Sequence, residues 1–171
     1  MLSSNYLEKL KQSYRSFFDV YTDKKINDEL FNIYAKSNIK NEKYLGTKSL
    51  KIWGYENNEH CLVKTYNNKI DEENIDELVH CLRGCINILV KPHLEHMLSV
   101  ITCVVVTTEG YSEKAIRKAK KVKISRAFAF GFKGWCDVRL ILVDLKHNAV
   151  YTNKKGREVI NFYKPDRLLV S

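Results

Sequence analysis

The stretch 97-MLSVITCVVV-106 is apolar on both parities of a two-residue repeat. A strand with one wet face alternates apolar and polar residues, so Met97–Val106 predicts a central strand covered on two sides. Its apolar run, Val100 to Val106, is far too short to cross a membrane.

The flanking sequence supplies covers for such a strand. Upstream, Asp71 predicts the cap of a helix whose stripe is Ile75, Leu78, Val79, Leu82, Ile86 and Leu89, with Pro92 closing it. Glu72, Glu73, Asp76 and Glu77 suit the positive N-terminal end of that helix. Downstream, Ser112 to about Lys121 reads as a basic helix with only Ala115, Ile116 and Ala119 to bury.

Toward the N-terminus, Ser3 or Ser4 caps a helix with apolar positions Leu7, Leu10, Tyr14, Phe17, Phe18 and Tyr21. Strands are expected at Leu30–Ala35, Tyr44–Tyr55 and Glu59–Tyr66, the last two joined by a tight turn at Asn57-Asn58. Toward the C-terminus, strands are expected at Ser125–Phe132, Trp135–Leu145 and Ala149–Thr152, with turns at Lys133-Gly134 and Lys146-His147-Asn148. The order α-β-β-β-α-β-α-β-β-β predicts a single α+β domain over residues 1–171 with a mixed or antiparallel sheet. Its first six elements follow the core order of restriction-endonuclease-like nucleases.

Charge is unevenly spread across the 171 residues and their net +9. Residues 1–109 hold 14 basic and 15 acidic side chains, whereas residues 110–171 hold 15 basic and 5 acidic. Such asymmetry points to a polyanionic partner, nucleic acid above all. The five cysteines, an odd number at unrelated spacings within apolar stretches, suit reduced thiols in a cytoplasmic protein. The first residues lack the apolar core of a signal peptide. No cofactor is expected, because the glycines form neither GxxxxGK nor GxGxxG. No metal is expected either: His93 and His96 are wrongly spaced for zinc hydrolases, and Cys81 and Cys85 fall beside a core stripe.

Three candidate sites emerge. The expected hairpin about Asn57-Asn58 would put Lys51, Trp53, Tyr55, His60, Lys64 and Tyr66 on one face, a stacking-plus-charge surface for nucleic acid. The basic helix and its exit offer Lys114, Arg117, Lys118, Lys121 and Lys123 to phosphates. In the C-terminal hairpin, Phe132 would oppose Trp135, Phe130 would oppose Asp137 and Phe128 would oppose Arg139. Asp137 and Arg139 would then pair with each other, and Arg139 would stack on Phe128. That arrangement reads as core, and it becomes a candidate site if the phenylalanines prove open to solvent.

At NEKYL (41–45), KPHLEHMLSVIT (91–102) and AFGFKGWCDVRLILVDL (129–145) the chain resembles a family of small, uncharacterised bacterial cytosolic proteins. The resemblance implies one soluble domain and supplies no catalytic residue. The basic C-terminal half and the aromatic-basic hairpin face set the function expected: non-enzymatic binding of nucleic acid or another polyanion. One alternative is a metal-dependent nuclease with a degenerate motif, using Lys64 with Glu56 or Glu59. The other is a protein-interaction module or homodimer.

Overall fold

The computed structural model describes the backbone of residues 2–44, 51–94 and 96–170, and their side chains except at 39–44, 51–56 and 170. Helix α1 (Leu2–Tyr14) leads into strands β1 (Asp19–Ile26), β2 (Glu29–Tyr44) and β3 (Lys51–Tyr66). Helix α2 (Glu72–Leu89), strand β4 (His96–Thr107) and helix α3 (Glu113–Lys121) follow. Strands β5 (Ser125–Ala127), β6 (Trp135–Asp144) and β7 (Ala149–Thr152) precede two 3-10 turns and a last helix, α4 (Pro165–Val170).

One mixed sheet runs β1-β2-β3-β4-β6-β5, with β7 also on β6. The β3–β4 and β4–β6 pairs are parallel and the others antiparallel. This is an α+β fold, and the expected central strand is there. Ile101, Cys103 and Val105 of β4 join one core with Ile75, Leu78, Leu82 and Ile86 of α2 and Ala115 and Ala119 of α3. Val104 and Val106 join a second core on the other face, with Tyr6, Leu10 and Tyr14 of α1 and Leu168 of α4. Two of the three helix caps read from the sequence form, whereas Ser3 and Ser4 lie inside α1, which already begins at Leu2. The Asp71 side chain accepts from the backbone of Glu73 and Asn74, and that of Ser112 from Ala115.

Three expectations are corrected. First, α1 stops at Tyr14 rather than running through Tyr21. Val20, Tyr21 and Thr22 are β-formers, and they pair with Ala35, Tyr34 and Ile33 of β2.

Second, Asn57-Asn58 is no turn. Residues 51–55 of the first expected strand and all of the second belong to one strand, β3, in which Asn57 faces Ile39 of β2 and Leu98 of β4, and Asn58 faces Asn38 and Ser99; Tyr44 ends β2, and residues 45–50 lie outside the described residues. A segment with a hydrogen-bonded neighbour on each side has no free edge about which to fold back. The tight turn lies instead at Asn27-Asp28, both at positive φ (50° and 61°), between the paired Ile26 and Glu29.

Third, β5 ends at Ala127, and residues 129–131 form a 3-10 turn with Ala129 and Phe130 at positive φ. The register opposes Ser125 to Asp137 and Ala127 to Trp135, so none of the three expected phenylalanine pairings exists.

Past the ends of β5 and β7 one buried side chain completes the edge of β6. Asn153 accepts from the Leu140 and Gly156 amides through Oδ1 and donates to the Val138 and Val122 carbonyls through Nδ2. That anchor fixes where Lys154 and Lys155 leave the sheet.

Candidate polyanion-binding site

Because β3 is a single strand, its side chains alternate between the two cores, and the hairpin surface is not assembled. Tyr55 pairs in the backbone with Asn41 and Lys51 with Tyr44, rather than with His60 and Lys64. The side chains of Lys51, Trp53 and Tyr55 lie outside the described residues.

His60, Lys64 and Tyr66 share the face toward α2 and are already occupied. The Tyr34 ring stacks on His60, with its hydroxyl 2.9 Å from His60 Nδ1. Burial, with the Lys36 charge adding to it, pushes the His60 imidazole down to about 4. Lys64 pairs with Glu29 and lies 4.8 Å from the centre of the Tyr66 ring.

Glu59 does not join Lys64 in the expected nuclease constellation. Glu59 and Lys64 are five apart on one strand and point to opposite faces. Glu59 pairs with Arg139, and the Glu56 side chain lies outside the described residues. Among the described residues no three His, Cys, Asp or Glu side chains gather as a metal site requires.

Helix α3 divides its cations. At its start Lys114 and Lys118 face the acids of the first turns of α2, with Lys114 3.8 Å from Glu72 and Lys118 bonded to Asp76. Arg117 lies 3.7 Å from Glu113. At its C-terminal end Lys120 and Lys121 meet no carboxylate among the described residues. Lys120, Lys121 and Lys123 line a concavity of about 550 Å³ with Val122, Ile124, Ser125, Asp137, Lys154 and Lys155. The helix C-terminus itself favours cations there.

The floor of this pocket is Asp137, which is buried and accepts from Ser125 Oγ and Lys155 Nζ, each at 2.7 Å. One acid thus stands among five lysines. Among the described residues no carboxylate pairs with Lys121, Lys123 or Lys154, and Lys120 sits 5.7 Å over the Tyr151 ring.

The structure therefore brings two predicted phosphate ligands together, Lys121 and Lys123. It places Lys114, Arg117 and Lys118 on carboxylates. Lys154 and Lys155 escaped the sequence reading because only the return through β7 and the Asn153 anchor carries them back to α3. Their adjacency in a basic half was the only signal.

Asp137 and Arg139 do not pair with each other. They share a face of β6, but Asp137 takes Lys155, while Arg139 bridges Glu59 at 3.0 Å and Glu158 at 2.9 Å. The cation on Phe128 is Arg126, 5.3 Å from the ring centre.

A second cavity, about 400 Å³, opens where α1 ends, lined by Tyr14, Phe17, Phe18, Cys61, Phe162 and Tyr163 among others. Its polar floor is closed on itself, with the Tyr14 and Tyr163 hydroxyls 2.9 Å apart. Burial pushes the Cys61 thiol up to about 12, so it is no nucleophile near neutral pH. All five cysteines are free thiols, and Cys81 alone of them is partly exposed. No described helix is long and apolar enough to cross a membrane.

No curated protein and no solved structure matches the chain. A family model described as a domain of unknown function, DUF8052, matches residues 3–165. That span takes in nearly every element of the fold and the whole lysine pocket, and the chain belongs to the DUF8052 family.

Proposed function

We propose that this protein binds a polyanion, without catalysis, through the pocket between the end of α3 and the start of the Lys154–Lys155 segment. One observation carries the reading: five lysines from two separate segments converge on a concavity that holds a single acid, Asp137, already neutralised by Lys155. Converging like charges repel one another, and a bound anion removes that cost. Phosphate groups of a nucleic acid suit such a site, each meeting one or two ammonium groups.

The test is binding to heparin and to nucleic acid as a function of salt. Affinity should fall steeply with salt, and Lys121→Glu with Lys154→Glu should weaken binding more than tenfold at low salt. Arg117→Gln, which alters a cation already beside a carboxylate, should change affinity less than twofold. Salt-independent binding, or equal effects from the two variants, would refute the reading.

A further inference from the structure

We propose that the loop after β5 and the lysine pocket form one continuous surface for single-stranded nucleic acid, bases stacking on Phe130, Phe132 and Trp135 while phosphates enter the pocket; this rests on the polyanion reading above. The exposures motivate it. Phe130 is 100 % exposed, Phe132 81 % and Trp135 41 %. Burying such side chains is the usual tendency, and a cluster left in water marks an interaction surface.

The loop is held in this display by fixed contacts. Phe128 packs on the core and meets the His96 ring edge-on at 6.1 Å. His96 is buried, and its Nδ1 donates to the Lys133 carbonyl at 2.7 Å. At Gly134 (φ 78°) a Cβ would fall 2.6 Å from the His96 and Met97 carbonyl oxygens, so only glycine fits. Ala129 (φ 47°) and Phe130 (φ 54°) adopt the left-handed region, which turns the Phe130 ring away from the core. A preformed ring surface loses little entropy when a base stacks on it.

Continuity and charge choose the occupant. Ser125 lines the lysine pocket, and Ala127, two residues along the same strand, opposes Trp135. That step is roughly 7 Å, comparable to one nucleotide of an extended strand. Residues 126–136 carry Arg126 and Lys133 and no acid. A second copy docking through a two-fold contact would bring these cations near their own counterparts. A bilayer calls for cations ringing an apolar apex, whereas five of the lysines here recede into a concavity on one flank. A single strand supplies both exposed base faces and a file of phosphates, while a duplex hides its bases.

The experiment compares a labelled single-stranded oligonucleotide with the same sequence as duplex, by fluorescence anisotropy at fixed salt, using the full chain. Phe130→Ser with Phe132→Ser alters only exposed side chains, and an unchanged melting temperature verifies the fold. The double variant should lose roughly tenfold or more in single-strand affinity and leave duplex and heparin binding unaltered. If single-strand affinity is unchanged, or all three ligands weaken equally, stacking on this loop is refuted while the polyanion reading survives. If the parent protein binds no polyanion in a salt-dependent way, both readings fall. Sedimentation with phosphatidylserine vesicles that is lost in the same variant, without a single-strand preference, would assign the loop to membranes instead.

Discussion

Asn153 shows how one side chain positions a site without touching its ligand. Strands β5 and β7 each cover part of the β6 edge, and the Val138 carbonyl and the Leu140 amide between them have no strand partner. The Asn153 amide serves both at 3.0 Å, because it offers an acceptor and a donor in the spacing of a peptide group. Asn153→Ala leaves buried backbone groups unpaired, and a loss of roughly 2–4 kcal/mol in chemical denaturation is expected. The same change frees the Lys154–Lys155 segment, so polyanion affinity should fall even though no cation is removed. Asn153→Asp, which keeps the acceptor and loses the donor, should fall between the two. Equal stability of Asn153→Ala and the parent would show that water replaces the amide at no cost.

His60 makes a second residue-scale case, this time in pH. In the unfolded chain its imidazole titrates near 6.5, and in the fold at about 4. Between those values the unfolded state holds the extra proton, so stability rises with pH across this window and falls on acidification. The predicted loss from pH 7 to pH 4 is on the order of 2–3 kcal/mol from this group. His60→Gln keeps an acceptor for the Tyr34 hydroxyl and should flatten that part of the curve, as urea midpoints at pH 4.5 and 7 would reveal. An unchanged slope would mean that other groups set the acid limb.

At the scale of elements, what the sequence reveals depends on how locally an element is determined. Helices α2 and α3 could be read with their caps, because Asp71 and Ser112 act on backbone amides two or three residues away. Strand β4 could be read because burial on two faces leaves a composition no amphipathic element has. The segment about Asn57 could not. Asparagine suits a tight turn and tolerates a strand, and the choice was made by β2 and β4 pairing on both sides, far away in sequence. The penalty is large, since one misplaced turn put Lys51 and Lys64 opposite each other when thirteen residues separate them along one strand. The phenylalanine stretch failed differently. Its alternation has period two, as a strand should, yet β5 leaves the sheet after Ala127, where Phe128 N–H bonds to the Gly134 carbonyl and closes the loop. Alternation there does not mark two sheet faces: Phe128 packs on the core, while Phe130 and Phe132 are exposed.

Across the whole molecule the charge is sorted rather than merely positive. The acids of the first turns of α2 neutralise the start of α3, and Glu59 and Glu158 hold Arg139, so the basic half spends much of its charge internally. Of the cations with no carboxylate partner among the described residues, Lys120, Lys121, Lys123 and Lys154 gather at one edge of the sheet, where α3 ends and the chain returns after β7. The site was half legible for this reason: Lys121 and Lys123 lie in a visibly basic run, while the partition into paired and unpaired cations exists only once α2 and α3 are packed. The partition has a measurable consequence. If every cation of residues 110–171 faced the ligand, the salt dependence would be very steep. With Lys155 committed to Asp137, about four pocket lysines displace counterions, and log affinity for a single strand should fall with log salt at a slope of about −3. Lys154→Ala should reduce that slope by about 0.7, whereas Lys114→Ala should leave it alone. A slope near −7 for the parent protein, or one equally sensitive to Lys114 and Lys154, would mean that the ligand tracks the length of α3 and that its ion pairs with α2 open on binding.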